Sequence, residues 1–230
     1  MAIPSERSLS MQNLIKIANY LYDYLKKNGI SFNSFGYPVV PEYMLLNEYP
    51  DDVITFYNRH YSSCEKSKTV ICSYTNDKNI YTRLSSLDHD IEIYKEYMGI
   101  CGFDLSPRIT WDINLQRFNI LLSQMANIYL GLHGIRFFPN FRTGTWNTIN
   151  SLSAYPLHCT FSIGALGCSH GYVELNKSFL KEKLTYTLPS KVFIYGKLRP
   201  EYEEILNEMD IIYRVYPDFQ RKSRSGKKVA

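Results

Sequence analysis

Polar side chains stand directly after several short apolar segments in the second half of the sequence, and these side chains could do chemistry. Asp104 ends one such segment, Asn140 and Arg142 follow the next, and Tyr195 ends a later one. An Arg can form two parallel hydrogen bonds with a phosphate or a carboxylate. On neighbouring strands, Asp104 and Arg142 would meet across the end of a sheet. The sequence leaves open whether they form a ligand site or a structural ion pair.

A glycine-rich segment, SIGALGCSHG at residues 162–171, offers a second feature of this kind. It leads into a predicted helix, so its backbone amides could bind a phosphate. The spacing matches neither the Walker A motif nor the dinucleotide-binding fingerprint, and a tight strand-to-helix turn is the alternative interpretation. Ser162 and His170, near the two ends of this segment, are included among the candidate ligand-binding residues.

Four side chains near this segment could suggest a metal site: His158, Cys159, Cys168 and His170. Neighbouring residues on a strand point to opposite faces, so at most three of the four could converge on one ion. The HExxH and GxSxG motifs are absent, and so is the His-x-His triplet of relaxases. The sequence therefore predicts no metal site and no cofactor, and it leaves open whether the protein is an enzyme.

The elements that must position these residues alternate between strand-like and helix-like patterns. The strand-like segments are Thr69–Ser73, Ile100–Asp104, Ile135–Asn140, Cys159–Ile163, Lys191–Tyr195 and Ile211–Val215. Alternation of this kind predicts an α/β fold, with βαβ crossovers and a mainly parallel sheet of about six strands. A partial or distorted barrel is the alternative. In such sheets, ligands bind at the carboxyl ends of the strands.

Three helical features complete the predicted fold. Apolar residues at steps of three and four predict an N-terminal helix over Met11–Lys27, within residues 1–30. The longest helix begins near Asp112, and its apolar stripe from Leu115 to Leu132 is typical of core packing. In the irregular stretch before residue 64, Asp51 and Asp52 favour the start of a short helix. Residues 31–217 are predicted to form a single α/β domain.

Composition restricts the class of protein. Of the 230 residues, 45% are hydrophobic and 21% charged, which is typical of a globular protein. Five irregularly spaced cysteines argue against a disulfide framework, and the amino terminus lacks the apolar core of a signal peptide. No apolar run is long enough to span a membrane. We therefore expect a cytoplasmic protein without a membrane partner.

The positive charge is concentrated near the carboxyl terminus. The net charge is +4, and the segment RKSRSGKK at residues 221–228 carries five positive charges without an acid. Residues 218–230 are therefore predicted to form a basic, flexible tail, which could contact nucleic acid. The 20 tyrosines either fill half-exposed positions or form a recognition surface.

The motifs GFDLS, GIRFFPNFRTG, TFSIGALG and VFIYGK, together with FGYP at residues 35–38, resemble the family known as domain of unknown function 4417. The resemblance covers about residues 31–217. It implies an α/β fold, a setting in bacteria, phages and mobile elements, and no known reaction. Thr143 stands where a tryptophan commonly follows the arginine in the family. The site residues that the resemblance implies are Asp104, Ser106, Asn140, Arg142, Ser162 and Tyr195.

These observations predict a phage- or mobile-element-type protein that binds an anionic, nucleotide-like ligand or another phosphorylated small molecule. Asp104 and Ser106 would orient the ligand, Asn140 would hydrogen-bond it, and Arg142 would neutralise its charge. The alternative is a non-enzymatic interaction protein, either an inhibitor of a host complex or a nucleic-acid-associated factor. In that case a Tyr-rich face and the basic tail would bind the partner.

Overall fold

Seven strands form two parallel sheets in the part of the chain that the structure describes. The structure is a computed structural model that describes residues 10–61, 64–164 and 173–224. The first sheet has the order β1-β2-β3-β4 and the second has the order β5-β6-β7. The strands are β1 Asp52–Thr55, β2 Thr69–Cys72, β3 Gly99–Cys101, β4 Phe137–Phe138, β5 Thr160–Gly164, β6 Lys191–Tyr195 and β7 Ile212–Tyr216. The predicted α/β fold with parallel βαβ connections is confirmed, although its strands divide into two sheets.

A single bridge between Asn140 and Ser162 connects the two sheets. Strand β4 has only two residues, and Pro139 follows directly, where its missing N–H prevents a continuous ladder. On the far side, the Tyr216 hydroxyl of β7 donates to the Pro50 carbonyl, two residues before β1, at 2.7 Å. Among the described residues no backbone bridge pairs β1 with β7, so the two sheets do not close into a barrel.

Alternate residues of the strands face two different apolar clusters. Ile71 and Ile100 belong to a large core that the helices cover, as expected for strands with period-two side chains. Cys72 and Cys101, one residue further on, face the other side of the sheet. There they lie in a smaller cluster that combines residues of both sheets: Leu46, Val53, Val70, Cys72, Tyr74, Cys101, Phe138, Phe193, Tyr195 and Tyr216.

Seven α-helices occur in the described ranges, together with four 3-10 segments. The helices are α1 Met11–Lys27, α2 Asp77–Leu84, α3 Leu87–Lys95, α4 Ile113–Leu132, α5 Val173–Thr187, α6 Pro200–Glu208 and α7 Phe219–Arg224. The 3-10 segments are Glu42–Met44, Phe56–Tyr61, Lys66–Lys68 and Trp146–Ala154. No helix of the described residues combines the length and the apolar character that crossing a membrane requires.

The predicted N-terminal helix is confirmed with the expected bounds. The Ser10 side chain accepts a hydrogen bond from the Asn13 amide and caps the first turn of α1. Its apolar stripe is buried, with Leu21 and Leu25 fully so, and it packs against α4. Because α1 buries this stripe, we expect it to contribute substantially to the stability of the domain.

One local prediction before β3 is wrong. The residues after Asp51 form β1 instead of a short helix, because the β-branched run Val53–Thr55 pairs in register with β2. The next two helices, α2 and α3, are separated only by Ser85 and Ser86. The hydroxyls of Ser85 and Ser86 both donate to the Thr82 carbonyl, which competes with the helical backbone pattern.

The segment predicted as a flexible tail begins with a short helix that contacts the first sheet. From α7, the Lys222 ammonium group pairs with the Asp52 carboxylate and donates to the Val53 carbonyl at 3.0 Å. Asp218 is buried just before α7 and accepts a hydrogen bond from the Arg221 amide. Part of the basic charge is thus used within the fold. Residues 225–230 lie outside the described part of the chain.

Candidate functional site

The segment that carries Asp104, residues 102–106, follows β3 and is held by polar side chains of α4. The Asn127 carbonyl oxygen accepts from the Phe103 amide at 2.7 Å, and the Ser123 hydroxyl accepts from the Leu105 amide at 3.2 Å. The Asn119 amide donates to the Ser106 carbonyl at 2.9 Å. These side chains belong to a buried polar stripe along α4, formed by Gln116, Asn119, Ser123 and Asn127.

Two glycines allow the polar stripe to come this close to the loops. A Cβ atom at Gly102 would collide with the Asn127 side-chain amide, and one at Gly144 would collide with that of Gln116. Gln116 in turn accepts from the Thr145 amide at 2.8 Å, next to the loop that carries Arg142. The stripe therefore anchors both loops of the candidate site to one rigid helix.

Asp104 and Arg142 form a two-point ion pair at the carboxyl ends of β3 and β4. The Arg142 Nε donates to Asp104 Oδ1 at 2.8 Å, and a terminal nitrogen donates to Oδ2 at the same distance. The two side chains differ in exposure, since Asp104 is 6% exposed and Arg142 is 27% exposed. A carboxylate this buried needs its partner to compensate for lost hydration. The guanidinium is the member of the pair that solvent or a ligand can reach.

The Asn140 side chain forms hydrogen bonds with residues that follow β2 and β3 and with Ser162 of β5. Its side-chain oxygen accepts from the Tyr74 and Ser162 hydroxyls, both at 2.9 Å. Its side-chain nitrogen donates to the Gly102 carbonyl and, at 2.8 Å, to the Phe103 carbonyl. Asn140 and Ser162 are both buried. Their bonds to the protein fix the segment that presents Asp104.

The remaining candidate residues occupy different surroundings. Ser106 is half-buried at the end of the anchored segment, where its amide donates to Asp77 at 3.0 Å. Tyr195 is buried between the sheets, with its ring stacked on Tyr74 at 5.7 Å between centroids, and its hydroxyl accepts from the Phe219 amide at 3.2 Å. Burial raises the Tyr195 pKa. His170 lies outside the described residues.

Asp104 and Arg142 line a cleft that the polar stripe of α4 borders. Its walls also include Phe103, Ser123, Gln124 and Tyr155. The guanidinium offers hydrogen-bond donors and a positive charge, so the cleft suits a ligand that carries an anionic group. The bidentate pair fixes the plane of the guanidinium before any ligand arrives.

The sequence model of a family described as "Domain of unknown function (DUF4417)" matches residues 32–216, which is most of the chain. The chain belongs to the DUF4417 family. No curated protein and no solved structure matches it significantly. The matched range includes Asp104, Arg142 and the polar stripe of α4, whereas helices α1 and α7 lie outside it.

Two buried cysteines of this DUF4417 domain, Cys72 and Cys101, are not suited to nucleophilic chemistry. Cys72 and Cys101 end β2 and β3, and both are buried on the same side of the sheet. Burial raises the pKa of the Cys72 thiol to about 12, and it raises the pKa of Cys101 well above its usual value. Within the described ranges, His, Cys, Asp and Glu side chains form no cluster of three or more that could hold a metal.

The polar stripe was not predicted from the sequence, because the prediction for α4 was based on its apolar residues alone. Leu122, Met125 and Tyr129 are buried as expected, but Leu115, the first residue of the apolar stripe, is 40% exposed. Amides and hydroxyls recur on α4 at steps of three, four and four, which is the spacing of one helical face. That spacing was the available signal. The buried polar face is the one that anchors the site of the DUF4417 domain.

The structure distributes exposed tyrosines over several elements. Tyr22 on α1, Tyr43 and Tyr57 on 3-10 segments and Tyr186 on α5 are each more than one-third exposed. Much of the basic segment that was expected to act with them lies outside the described residues. A Tyr-rich interaction surface on the DUF4417 domain therefore stays a prediction.

Proposed function

We propose that this DUF4417 protein binds an anionic, nucleotide-like ligand at the carboxyl ends of its parallel strands. Arg142 contacts a phosphate of the ligand, and Asp104 holds the guanidinium in place. The observation that carries this proposal is the bidentate Asp104–Arg142 pair, whose guanidinium is the more exposed member. The family resemblance adds a phage or mobile-element setting to the proposal.

Rigidity of the site supports the proposal. Six hydrogen bonds from Asn119, Ser123, Asn127, Asn140 and Asp77 hold residues 102–106 before any ligand binds. A ligand then pays little to order the loop, so more of the interaction energy appears as affinity. The arrangement favours a site built for recognition.

Isothermal titration calorimetry with AMP, ADP and ribose 5-phosphate tests the proposal. We expect the unaltered protein to bind at least one of them and Arg142→Ala to bind about tenfold to 100-fold more weakly, the loss typical of a hydrogen bond to a charged group. Arg136→Ala is the matched control, because Arg136 is an exposed arginine just before the amino end of β4. Absence of binding, or equal binding by both variants, would refute the proposal.

A further inference from the structure

A second cleft lies beside the Asp104–Arg142 cleft, at the carboxyl ends of β1, β2 and β3. We call it the aromatic cleft, because its lining is mostly apolar and includes several rings. Phe103 lines both clefts, so the two are neighbours along the same edge of the sheet. The residues that line it include Thr55, Phe56, Tyr57, Ser73, Arg83 and Phe103.

Arg83 is the charged residue that distinguishes this cleft. Its guanidinium carbon lies 4.5 Å from the centroid of the Phe56 ring and 5.9 Å from that of Tyr57. One terminal nitrogen donates to the Asp90 carboxylate at 2.8 Å, and Asp90 is almost fully buried. The guanidinium is thereby held against an aromatic wall.

One donor of Arg83 is left over. Its Nε atom is buried and has no hydrogen-bond partner among the described residues. A buried donor without an acceptor costs free energy, and such atoms are rare in native proteins. A hydrogen-bond acceptor on a molecule in the aromatic cleft would satisfy it.

The walls indicate what kind of molecule this is. Phe56 packs against a second guanidinium, since the Arg59 carbon lies 4.4 Å from its ring centroid. Tyr57 is 44% exposed at the edge of the cleft, where its ring can stack on a ligand. Apolar, aromatic and guanidinium surfaces together favour a planar ring that carries hydrogen-bond acceptors.

We propose that the aromatic cleft binds a heteroaromatic ring, with an acceptor atom of the ring facing Arg83 and one ring face stacked on Tyr57. This inference rests on the proposed function, because the ring is then the base of the nucleotide-like ligand whose phosphate contacts Arg142. The two clefts divide the recognition of one ligand, since one is polar and charged and the other is largely apolar.

Separate probes for the two halves of the ligand test this assignment. Adenosine, guanosine, cytidine and uridine carry the ring without phosphate, and ribose 5-phosphate carries the phosphate without the ring. Binding of each is measured by saturation-transfer NMR, which detects affinities down to about millimolar. The variants are Tyr57→Ala and Arg83→Lys, which keeps a positive charge for Asp90. Tyr43→Ala is the control, because Tyr43 is 69% exposed and outside both clefts.

We expect at least one nucleoside to bind the unaltered protein and the Tyr43 variant with similar affinity. Tyr57→Ala or Arg83→Lys should weaken that binding at least tenfold, whereas ribose 5-phosphate should be insensitive to Tyr57→Ala. The assignment is overturned if no nucleoside binds, or if both variants bind nucleosides as the unaltered protein does. Nucleoside binding without ribose 5-phosphate binding would refute the phosphate site alone, and the reverse result would refute the ring site alone.

Discussion

Removing either partner of the Asp104–Arg142 pair should destabilise the protein unequally, because the two groups are buried to different extents. Arg142→Ala leaves a carboxylate that is only 6% exposed without its two hydrogen bonds of 2.8 Å. Stranding a buried charge costs about 3–5 kcal/mol. Asp104→Ala instead leaves an Arg142 side chain that is already 27% exposed and therefore partly hydrated, so we expect a loss of about 1–2 kcal/mol.

The assay is urea denaturation at pH 7, followed by circular dichroism, for both single variants and for the double variant. The double variant should be more stable than Arg142→Ala, because it no longer buries an unpaired charge. Equal losses in the two single variants, or a double variant that is no more stable than Arg142→Ala, would refute this reasoning.

Three further predictions concern the framework of the domain. Asn127→Ala removes the side-chain oxygen that accepts from the Phe103 amide and leaves that amide buried without a partner. We expect the free energy of unfolding, measured by urea denaturation, to fall by about 1–3 kcal/mol. A loss below about 0.5 kcal/mol would show that the polar stripe does not anchor residues 102–106. Leu21→Ala in α1 should cost about 2–5 kcal/mol in the same assay, and an unchanged midpoint would mean that α1 is dispensable. Burial raises the pKa of the Cys72 and Cys159 thiols to about 12 from an ordinary 9.0, so iodoacetamide at pH 9 should label them only after unfolding. The unfolded chain loses these protons first, so the stability due to the buried thiols is full below pH 9 and declines as the pH rises toward 12. Labelling of Cys72 or Cys159 in the native protein at pH 9 would contradict the prediction of protected thiols.

Much of the fold was predictable because it follows from periodic patterns. The apolar stripe and capping residues of α1 gave its bounds, and the alternation of strands and helices gave the parallel βαβ connections. The division into two sheets was not predictable, because it depends on how β4 and β5 meet around Pro139 in three dimensions. Strand β1 was missed because Asp51, just before it, and Asp52, its first residue, resemble the start of a helix.

The candidate site was predictable only in part, for a related reason. Strand ends on one edge of a sheet approach each other, so the meeting of Asp104 and Arg142 could be foreseen. The hydrogen bonds of Asn140 to three different strands and loops could not, because they depend on side-chain geometry. The aromatic cleft brings together Phe56, Arg83 and Phe103 from separate segments, and no sequence spacing connects them.

The structure of crystals soaked with ADP tests directly whether Arg142 contacts a phosphate of the ligand. We expect a phosphate oxygen within hydrogen-bonding distance, about 2.7–3.2 Å, of the Arg142 guanidinium, while the Asp104 carboxylate stays paired with that guanidinium. Because the carboxylate is buried, the pair should not open to admit the ligand. Binding of the ADP phosphates elsewhere on the molecule would contradict the proposed function. An Arg142 that solvent reaches in the crystal but that binds no ligand at saturating ADP would contradict it as well.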